Sequence, residues 1–145
     1  MSKPQKEEDV RFAKFGTVSF TKTTRVNDFI DHLEKGKVMT SQCKNCKATF
    51  FPPRADCCQC LSSDMQWREV SGRGVLVSYS QLKFAPIGFE GDLPYSIAVL
   101  DYGDFRVFGR IDNALDPEEI KIGMAMTTAV NELGDGRLNY VFKKA

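Results

Sequence analysis

The sequence of 145 residues has one histidine, one tryptophan and a formal net charge of only +1. So weak a charge favours neither a nucleic acid nor a membrane surface as partner. No apolar run reaches the roughly 18 residues that a membrane-spanning helix needs. Residues 1–10 are polar and charged, and they lack the apolar core of a signal peptide. We therefore expect a soluble, cytoplasmic protein.

The motifs of common catalytic sites are also missing. The chain contains no G-x-S-x-G, no P-loop and no G-x-G-x-x-G after a predicted strand. His32, the single histidine, falls on a predicted helix, where we interpret it as an exposed residue rather than a catalytic base. Glu118 and Glu119 open a predicted helical turn, where carboxylates complement the helix dipole. We therefore expect no catalytic residues and an accessory or binding role.

The chain does contain five cysteines, all between positions 43 and 60. Cys43-x2-Cys46 is followed after ten residues by Cys57-x2-Cys60, and two such knuckles can supply four thiolates in a tetrahedron, which suits Zn²⁺. Four protein ligands leave no position open for water, so we expect a structural zinc ion. Iron is the alternative, because a Cys₄ tetrahedron suits both metals. Cys58 is interpreted as a bystander, with a redox or ligand-swapping role as the alternative.

The chain divides into three predicted regions: an N-terminal extension over 1–22, a helix and zinc ribbon over 23–69, and a β-rich domain over 70–145. The extension shows no period, but four apolar side chains could dock on a partner or pair with the chain's own core: Phe12, Phe15, Val18 and Phe20. Helical spacing predicts a helix over 25–35 with an apolar face formed by Val26, Phe29, Ile30 and Leu33. Thr24 is its predicted N-cap, and Gly36 ends it.

The remaining elements are predicted as short strands. Two lie in the ribbon, at 38–42 and 49–51, and five follow it, at 74–84, 95–102, 105–111, 125–133 and 138–143. In the first of these five, alternation predicts inward side chains at Val75, Val77, Tyr79 and Leu82, with a bulge between Tyr79 and Leu82. A helical turn capped by Asp116 follows the third. Five antiparallel strands with this insertion favour a closed OB-type barrel, and an open sandwich is the alternative.

These motifs together resemble the DUF35 family over roughly residues 26–143. The resemblance is carried by Cys43-Lys-Asn-Cys46, Phe51-Pro-Pro-Arg54 and Cys57-x2-Cys60, and by segments 67–74, 94–99 and 116–124. It implies a mainly β fold: an N-terminal helix, a rubredoxin-like zinc ribbon and a C-terminal five-stranded OB-fold barrel. Two residues depart from the family pattern, since Lys47 stands where glycine is usual and Cys58 where proline is usual.

The resemblance implies an acyl-CoA-associated function. Family members form hetero-oligomers with thiolases, thiolase-like proteins or hydratases; one such setting is a thiolase acting on benzoylsuccinyl-CoA. We therefore expect a non-catalytic subunit that helps a thiolase-type partner to bind or channel a shared CoA thioester in degradation or condensation. Candidate acyl-CoA contacts are Phe50, Phe51, Arg54, Lys83, Phe84 and Pro86, because aromatic rings can cover adenine and Lys or Arg can meet phosphate.

Two other functions remain open from the residues alone. OB folds and zinc ribbons are common in single-stranded nucleic-acid binders, but the slightly acidic balance of residues 70–145 argues against a basic groove. An independent redox enzyme using Cys58 is the third hypothesis.

Overall fold

The computed structural model describes Pro4 and residues 6–145. Within these residues the α-helix α1 (Asp28–Glu34) precedes a three-stranded sheet of order β2-β1-β3, formed by β1 (Met39–Cys43), β2 (Thr49–Phe50) and β3 (Met65–Glu69). No helix in the described residues is long and apolar enough to cross a membrane. The sheet is the predicted ribbon, although the sequence interpretation did not include β3.

Five further strands close into a barrel. They are β4 (Gly74–Leu82), β5 (Tyr95–Asp101), β6 (Arg106–Ile111), β7 (Ala125–Gly134) and β8 (Arg137–Lys144). The barrel order is β4-β5-β6-β8-β7, with β7 pairing back to β4 and with β6 and β8 parallel. Asp116 caps the 3-10 turn Pro117–Glu119 by accepting a hydrogen bond from the Glu118 backbone N–H. The mainly β fold with an N-terminal helix and a five-stranded OB barrel is therefore confirmed, and the open sandwich is wrong.

Helix α1 is shorter than predicted at its start. Thr24 is not its N-cap: the Thr24 hydroxyl accepts from the Val26 N–H in the preceding turn, and Asn27 takes the cap position. The C-terminal prediction is confirmed, because Gly36 has φ +80° and its N–H donates to the Leu33 carbonyl. A positive φ is common in the residue that directly follows a helix, and glycine adopts it there without steric cost.

The predicted inward face of β4 is wrong. Val75 and Tyr79 are exposed and Val77 and Leu82 only partly buried, whereas Leu76 is fully buried in the barrel. The pairing of β4 with β5 shifts register between Leu76 and Ser78, so the bulge lies before Tyr79 and not after it. Val75 and Leu76 both precede this bulge, so the predicted face is already wrong there: Val75, Leu76 and Val77 are all apolar, and apolarity alone does not show which of them faces the core.

One hydrophobic core joins the helix, the ribbon and the barrel. The buried residues that share it are Phe29, Ile30, Leu33, Val38, Val70, Leu76, Leu100, Val107, Met126 and Phe142, among others. Tyr140 connects the three parts directly, since its ring contacts Phe15, Phe29 and Phe51 at centroid distances of 6.0, 6.5 and 5.2 Å. Phe51, proposed above as a CoA contact, is therefore engaged in packing between the ribbon and the barrel.

The N-terminal segment packs on the chain's own barrel. Phe15 forms a parallel bridge with Leu138, and the Gly16 N–H donates to the Leu138 carbonyl at 2.7 Å. Arg137 Nε returns a hydrogen bond to the Gly16 carbonyl at 2.7 Å. Phe20 departs from this pattern, since its side chain is mostly exposed. Of the two alternatives for the extension, packing on the core therefore holds for its inner part.

Candidate metal centre and binding surfaces

The two cysteine knuckles have the same backbone geometry. The Lys47 N–H donates to the Cys43 carbonyl at 3.0 Å, and the Leu61 N–H donates to the Cys57 carbonyl at 3.1 Å. Lys47 and Leu61 both adopt positive φ, 66° and 63°. In each knuckle, therefore, the residue directly after the second cysteine has a left-handed backbone conformation. Lys47 takes this conformation, which glycine would adopt most easily.

The four predicted sulfurs meet at one point. The Sγ atoms of Cys43, Cys46, Cys57 and Cys60 all lie within 4.8 Å of one another. The Cys43–Cys60 and Cys46–Cys57 pairs are both 3.5 Å apart. A tetrahedron with Zn–S bonds of about 2.3 Å has sulfur edges of about 3.8 Å, so the cluster has the size that a zinc ion requires.

Hydrogen bonds and mutual repulsion set the pKa values of the clustered thiols. The Asn45 side-chain amide, together with the Ser62 backbone, lowers the pKa of Cys60 to about 6. A hydrogen bond from the Ala48 backbone favours the Cys46 thiolate, but desolvation and the three neighbouring thiols outweigh it and raise the pKa of Cys46 to about 12. Four thiolates at this spacing therefore need a cation among them.

The surplus cysteine stands apart from this cluster. Cys58 is exposed and is not one of the four clustered ligands, whereas its neighbour Cys57 is almost fully buried. The Cys57 sulfur also accepts from the backbone N–H groups of Gln59 and Cys60. The backbone thus turns Cys57 inward and leaves Cys58 on the surface.

His32 is half-buried rather than exposed as expected. Its ring lies edge-on to Trp67, with centroids 5.2 Å apart. The contact joins α1 to β3, so this histidine packs the helix against the ribbon.

The predicted acyl-CoA contacts form two separate groups. In the ribbon, the Arg54 guanidinium lies over the Phe50 ring at 5.5 Å. Lys83, Phe84 and Pro86 lie on the loop between β4 and β5, and Phe84 is 90% exposed. No hydrogen bond, ion pair or aromatic contact within the described residues joins the ribbon group to the loop group.

A groove on the barrel surface was missed by sequence reasoning. Its volume is about 460 Å³, and we call it the β5–β6 groove because Ile97 of β5 and Phe108 of β6 line it. Residues 15–18 and the β4–β5 loop also line it, and Pro86 is the one predicted contact among the lining residues. The sequence signal that could have revealed this groove is the alternation of Phe108 and Arg110 on the third barrel strand.

A second cavity of about 440 Å³ lies next to the 3-10 turn that Asp116 caps.

Arginines on the ribbon strand β3 and on the barrel strand β6 are paired with carboxylates. Arg68 contacts Asp104 at 2.5 Å, and Arg106 contacts Asp101 at 3.3 Å. Non-specific binding of single-stranded nucleic acid needs unpaired cations along a groove. These ion pairs argue against that alternative.

Comparison with known proteins agrees with this architecture. Residues 31–66 match the rubredoxin-like zinc ribbon domain of ChsH2, and residues 67–131 match the C-terminal OB-fold domain of ChsH2. A DUF35 domain-containing scaffold protein of Methanocaldococcus jannaschii is 34% identical over 108 residues, which cover 70% of this chain and 76% of that protein. Its counterpart in Pyrococcus furiosus is 30% identical over 114 residues, covering 76% and 83%.

Two solved structures share the fold. The Ltp2–ChsH2(DUF35) aldolase aligns with a TM-score of 0.66 at 25% identity, covering 79% of this chain and 89% of that chain. A DUF35-family protein of unknown function from Sulfolobus solfataricus aligns with a TM-score of 0.53 at 19% identity, covering 75% and 81%. The chain therefore belongs to the DUF35 family, and it carries a zinc ribbon followed by an OB-fold domain.

Proposed function

We propose that this chain is a non-catalytic subunit that assembles with a thiolase-type acyl-CoA enzyme and helps to bind or channel its CoA thioester. The observation that carries the proposal is the alignment with the DUF35 part of an aldolase complex, at a TM-score of 0.66 over 89% of that chain. Similarity to DUF35 scaffold proteins supports an accessory role.

In this proposal, Cys43, Cys46, Cys57 and Cys60 hold a structural zinc ion. The ion would fix the two knuckles, and its four thiolate ligands leave no site for water or substrate. Bond formation and cleavage at the thioester would then depend on a nucleophile of the partner enzyme.

An exposed apolar loop supports assembly with a partner. Phe84 and Ile87, on the loop between β4 and β5, are each 90% exposed. Large apolar side chains are the anchors that protein interfaces bury in their centres. We propose that this loop docks on the partner enzyme.

The two groups of predicted acyl-CoA contacts remain part of the proposal. The stacked pair of Arg54 and Phe50 could hold a phosphate beside an adenine ring, and Lys83 could meet a second phosphate. Phe51 and Pro86 would support these groups through packing. Because the ribbon and loop groups are not in contact, they would act on the same CoA only if the ligand spans both.

Co-purification tests the assembly. Tagged full-length chain from its native host is expected to retain a larger subunit that mass spectrometry identifies as a thiolase-type enzyme and that turns over an acyl-CoA. A Phe84→Ser, Ile87→Ser double variant is expected to lose this subunit, whereas Ile122→Ser, also at an exposed apolar residue, is expected to retain it. A stable, inert monomer in every preparation would contradict the proposal.

Binding of CoA to the purified complex tests the contacts. Arg54→Ala and Lys83→Ala are each expected to weaken CoA binding by about 10- to 150-fold, because each removes a charged hydrogen bond to phosphate worth about 1.5–3 kcal/mol. Lys121→Ala, at an exposed lysine on another segment, serves as the matched control. Equal affinities for all three variants in calorimetric titration would refute these contacts while leaving the assembly proposal standing.

A further inference from the structure

The β5–β6 groove lies on the part of the barrel that OB folds most often use for ligands. β5 and β6 are the second and third barrel strands, and the β4–β5 loop is the loop between the first and second. Oligonucleotides and oligosaccharides bind OB folds at this strand pair and loop. The lining of this groove, however, is mostly apolar.

Aromatic side chains dominate that lining. The rings that face it belong to Phe15, Phe89, Tyr95, Phe108 and Tyr140. Phe108 is 56% exposed, so its ring is open to a ligand in the groove. At about 460 Å³, the groove falls in the range of roughly 300–1,000 Å³ typical of small-molecule sites.

Arg110 supplies a fixed positive group at one side of the groove. Its guanidinium lies 4.0 Å from the centroid of the Tyr95 ring and 5.5 Å from that of Phe89. Asp92 accepts a hydrogen bond from Nη1 at 2.9 Å and also accepts one from the Thr17 hydroxyl at 2.6 Å. Within the described residues, Nε and Nη2 of Arg110 have no hydrogen-bond partner, so donors remain for a ligand.

Asn139 supplies a second donor. This side chain is 91% buried and lines the groove, and its Oδ1 accepts from Asn131 Nδ2 at 2.9 Å. In the described part of the chain its own Nδ2 donates to no protein atom. Asn27 Oδ1 is the one fully enclosed side-chain polar atom without a partner in the described residues, so Asn139 Nδ2 keeps some contact with solvent. Asn139 is also one of the residues that line the groove. A buried amide kept open to a groove favours an acceptor atom inside it.

We propose that the β5–β6 groove binds small amphipathic carboxylates. The apolar body of the ligand would lie on Ile97 and Phe108, and its carboxylate would accept hydrogen bonds from Arg110 and Asn139. The Asp92 carboxylate holds the Arg110 guanidinium in place. The Thr17 hydroxyl donates to the same Asp92 carboxylate, which fixes residues 15–18 beside the groove. Of the acyl-CoA contacts in the proposed function only Pro86 lines this groove, and carboxylate binding here requires no partner subunit.

Titration of the zinc-loaded full-length chain with octanoate, followed by amide NMR, tests the proposal. We expect saturable shifts centred on β5, β6 and residues 15–18, and at least tenfold weaker binding of octan-1-ol, which lacks the carboxylate. 4-Phenylbutyrate, which carries the same group on an aryl body, is expected to bind at the same residues. Equal affinity for the acid and the alcohol, shifts centred elsewhere, or no saturable binding would each overturn the proposal.

Variants separate the groove from general surface binding. Phe108→Ala and Arg110→Gln are each expected to weaken octanoate roughly tenfold, and Arg110→Gln is expected to leave octan-1-ol unchanged. Tyr79→Ala removes an exposed aromatic ring from β4 outside the groove and is expected to bind octanoate as the wild type does. Equal losses in Phe108→Ala and Tyr79→Ala would overturn the assignment. Co-purification with an acyl-CoA enzyme is a separate measurement, so failure here is distinguishable from failure of the proposed function.

Discussion

Replacing Gly109 by alanine should strongly destabilise the protein, because this glycine makes room for the ring that joins the helix, ribbon and barrel. A Cβ added there would lie 2.7 Å from Tyr140 Cε2 and 3.0 Å from Phe142 Cζ. Carbon atoms in contact need about 3.5 Å or more, so the Tyr140 ring would have to move by about 0.8 Å and the Phe142 ring by about 0.5 Å. The Tyr140 hydroxyl also donates to the Phe108 carbonyl at 2.6 Å, which restricts the tyrosine ring at its far end.

The cost can be estimated from these contacts. Overpacking a core by one methyl group costs about 1–3 kcal/mol, and losing the hydroxyl hydrogen bond of Tyr140 would add about 1 kcal/mol. We therefore expect the free energy of unfolding to fall by about 2–4 kcal/mol for Gly109→Ala. Urea unfolding, followed by circular dichroism with zinc present, measures it.

The matched control is Gly91→Ala. No atom lies within 4 Å of the Cβ position at Gly91, and its φ is not positive, so the same change should leave stability equal or raise it by up to about 1 kcal/mol. A Tyr140→Leu background should remove part of the penalty of Gly109→Ala, because the crowded ring is gone. A Gly109→Ala protein within about 0.5 kcal/mol of the wild type would refute the packing argument.

Three further outcomes are expected. Cys58→Ser should keep one metal ion per chain by elemental analysis, whereas Cys43→Ser should lose it, and equal loss in both would contradict the ligand assignment. Lys47→Gly should raise the free energy of unfolding by up to about 1 kcal/mol. A left-handed backbone costs a non-glycine residue about 1–2 kcal/mol, and the greater entropy of glycine in the unfolded chain offsets part of this gain. A lower melting temperature for Lys47→Gly would contradict this expectation. Burial raises the pKa of Asp92, but its hydrogen-bonded partners outweigh burial and hold that pKa below its ordinary value, so its stabilisation is present above pH 4 and is lost as pH falls further. Asp92→Asn should flatten that acid limb of a stability–pH curve, and an unchanged limb would contradict the reasoning.

The metal cluster could be predicted from the sequence because its information is local. Two C-x2-C pairs specify two knuckles, whatever the rest of the chain does. The barrel strands followed for a similar reason, since turn residues such as Gly103 and the pair Gly134 and Gly136 separate the apolar runs. The helix end was equally clear, because glycine at position 36 has one conformational reason to stand there.

The remaining features depend on contacts between distant residues. The predicted faces of β4 were wrong from its start, since Leu76 and not Val75 is buried, and only the pairing with β5 locates the bulge between Leu76 and Ser78. Phe15 found its place against Leu138, more than a hundred residues later, so no local period marked it. The β5–β6 groove was missed because its lining comes from the N-terminal segment, a loop and four strands.

A closed coordination shell around one zinc ion underlies the proposed non-catalytic role of this chain. X-ray absorption at the metal edge, with elemental analysis of the purified full-length chain, tests it. We expect one zinc ion per chain with four sulfur neighbours at about 2.3 Å and no oxygen neighbour, unchanged when acyl-CoA is added. A metal-free protein that is still folded, or an oxygen ligand that exchanges with substrate, would contradict the central claim.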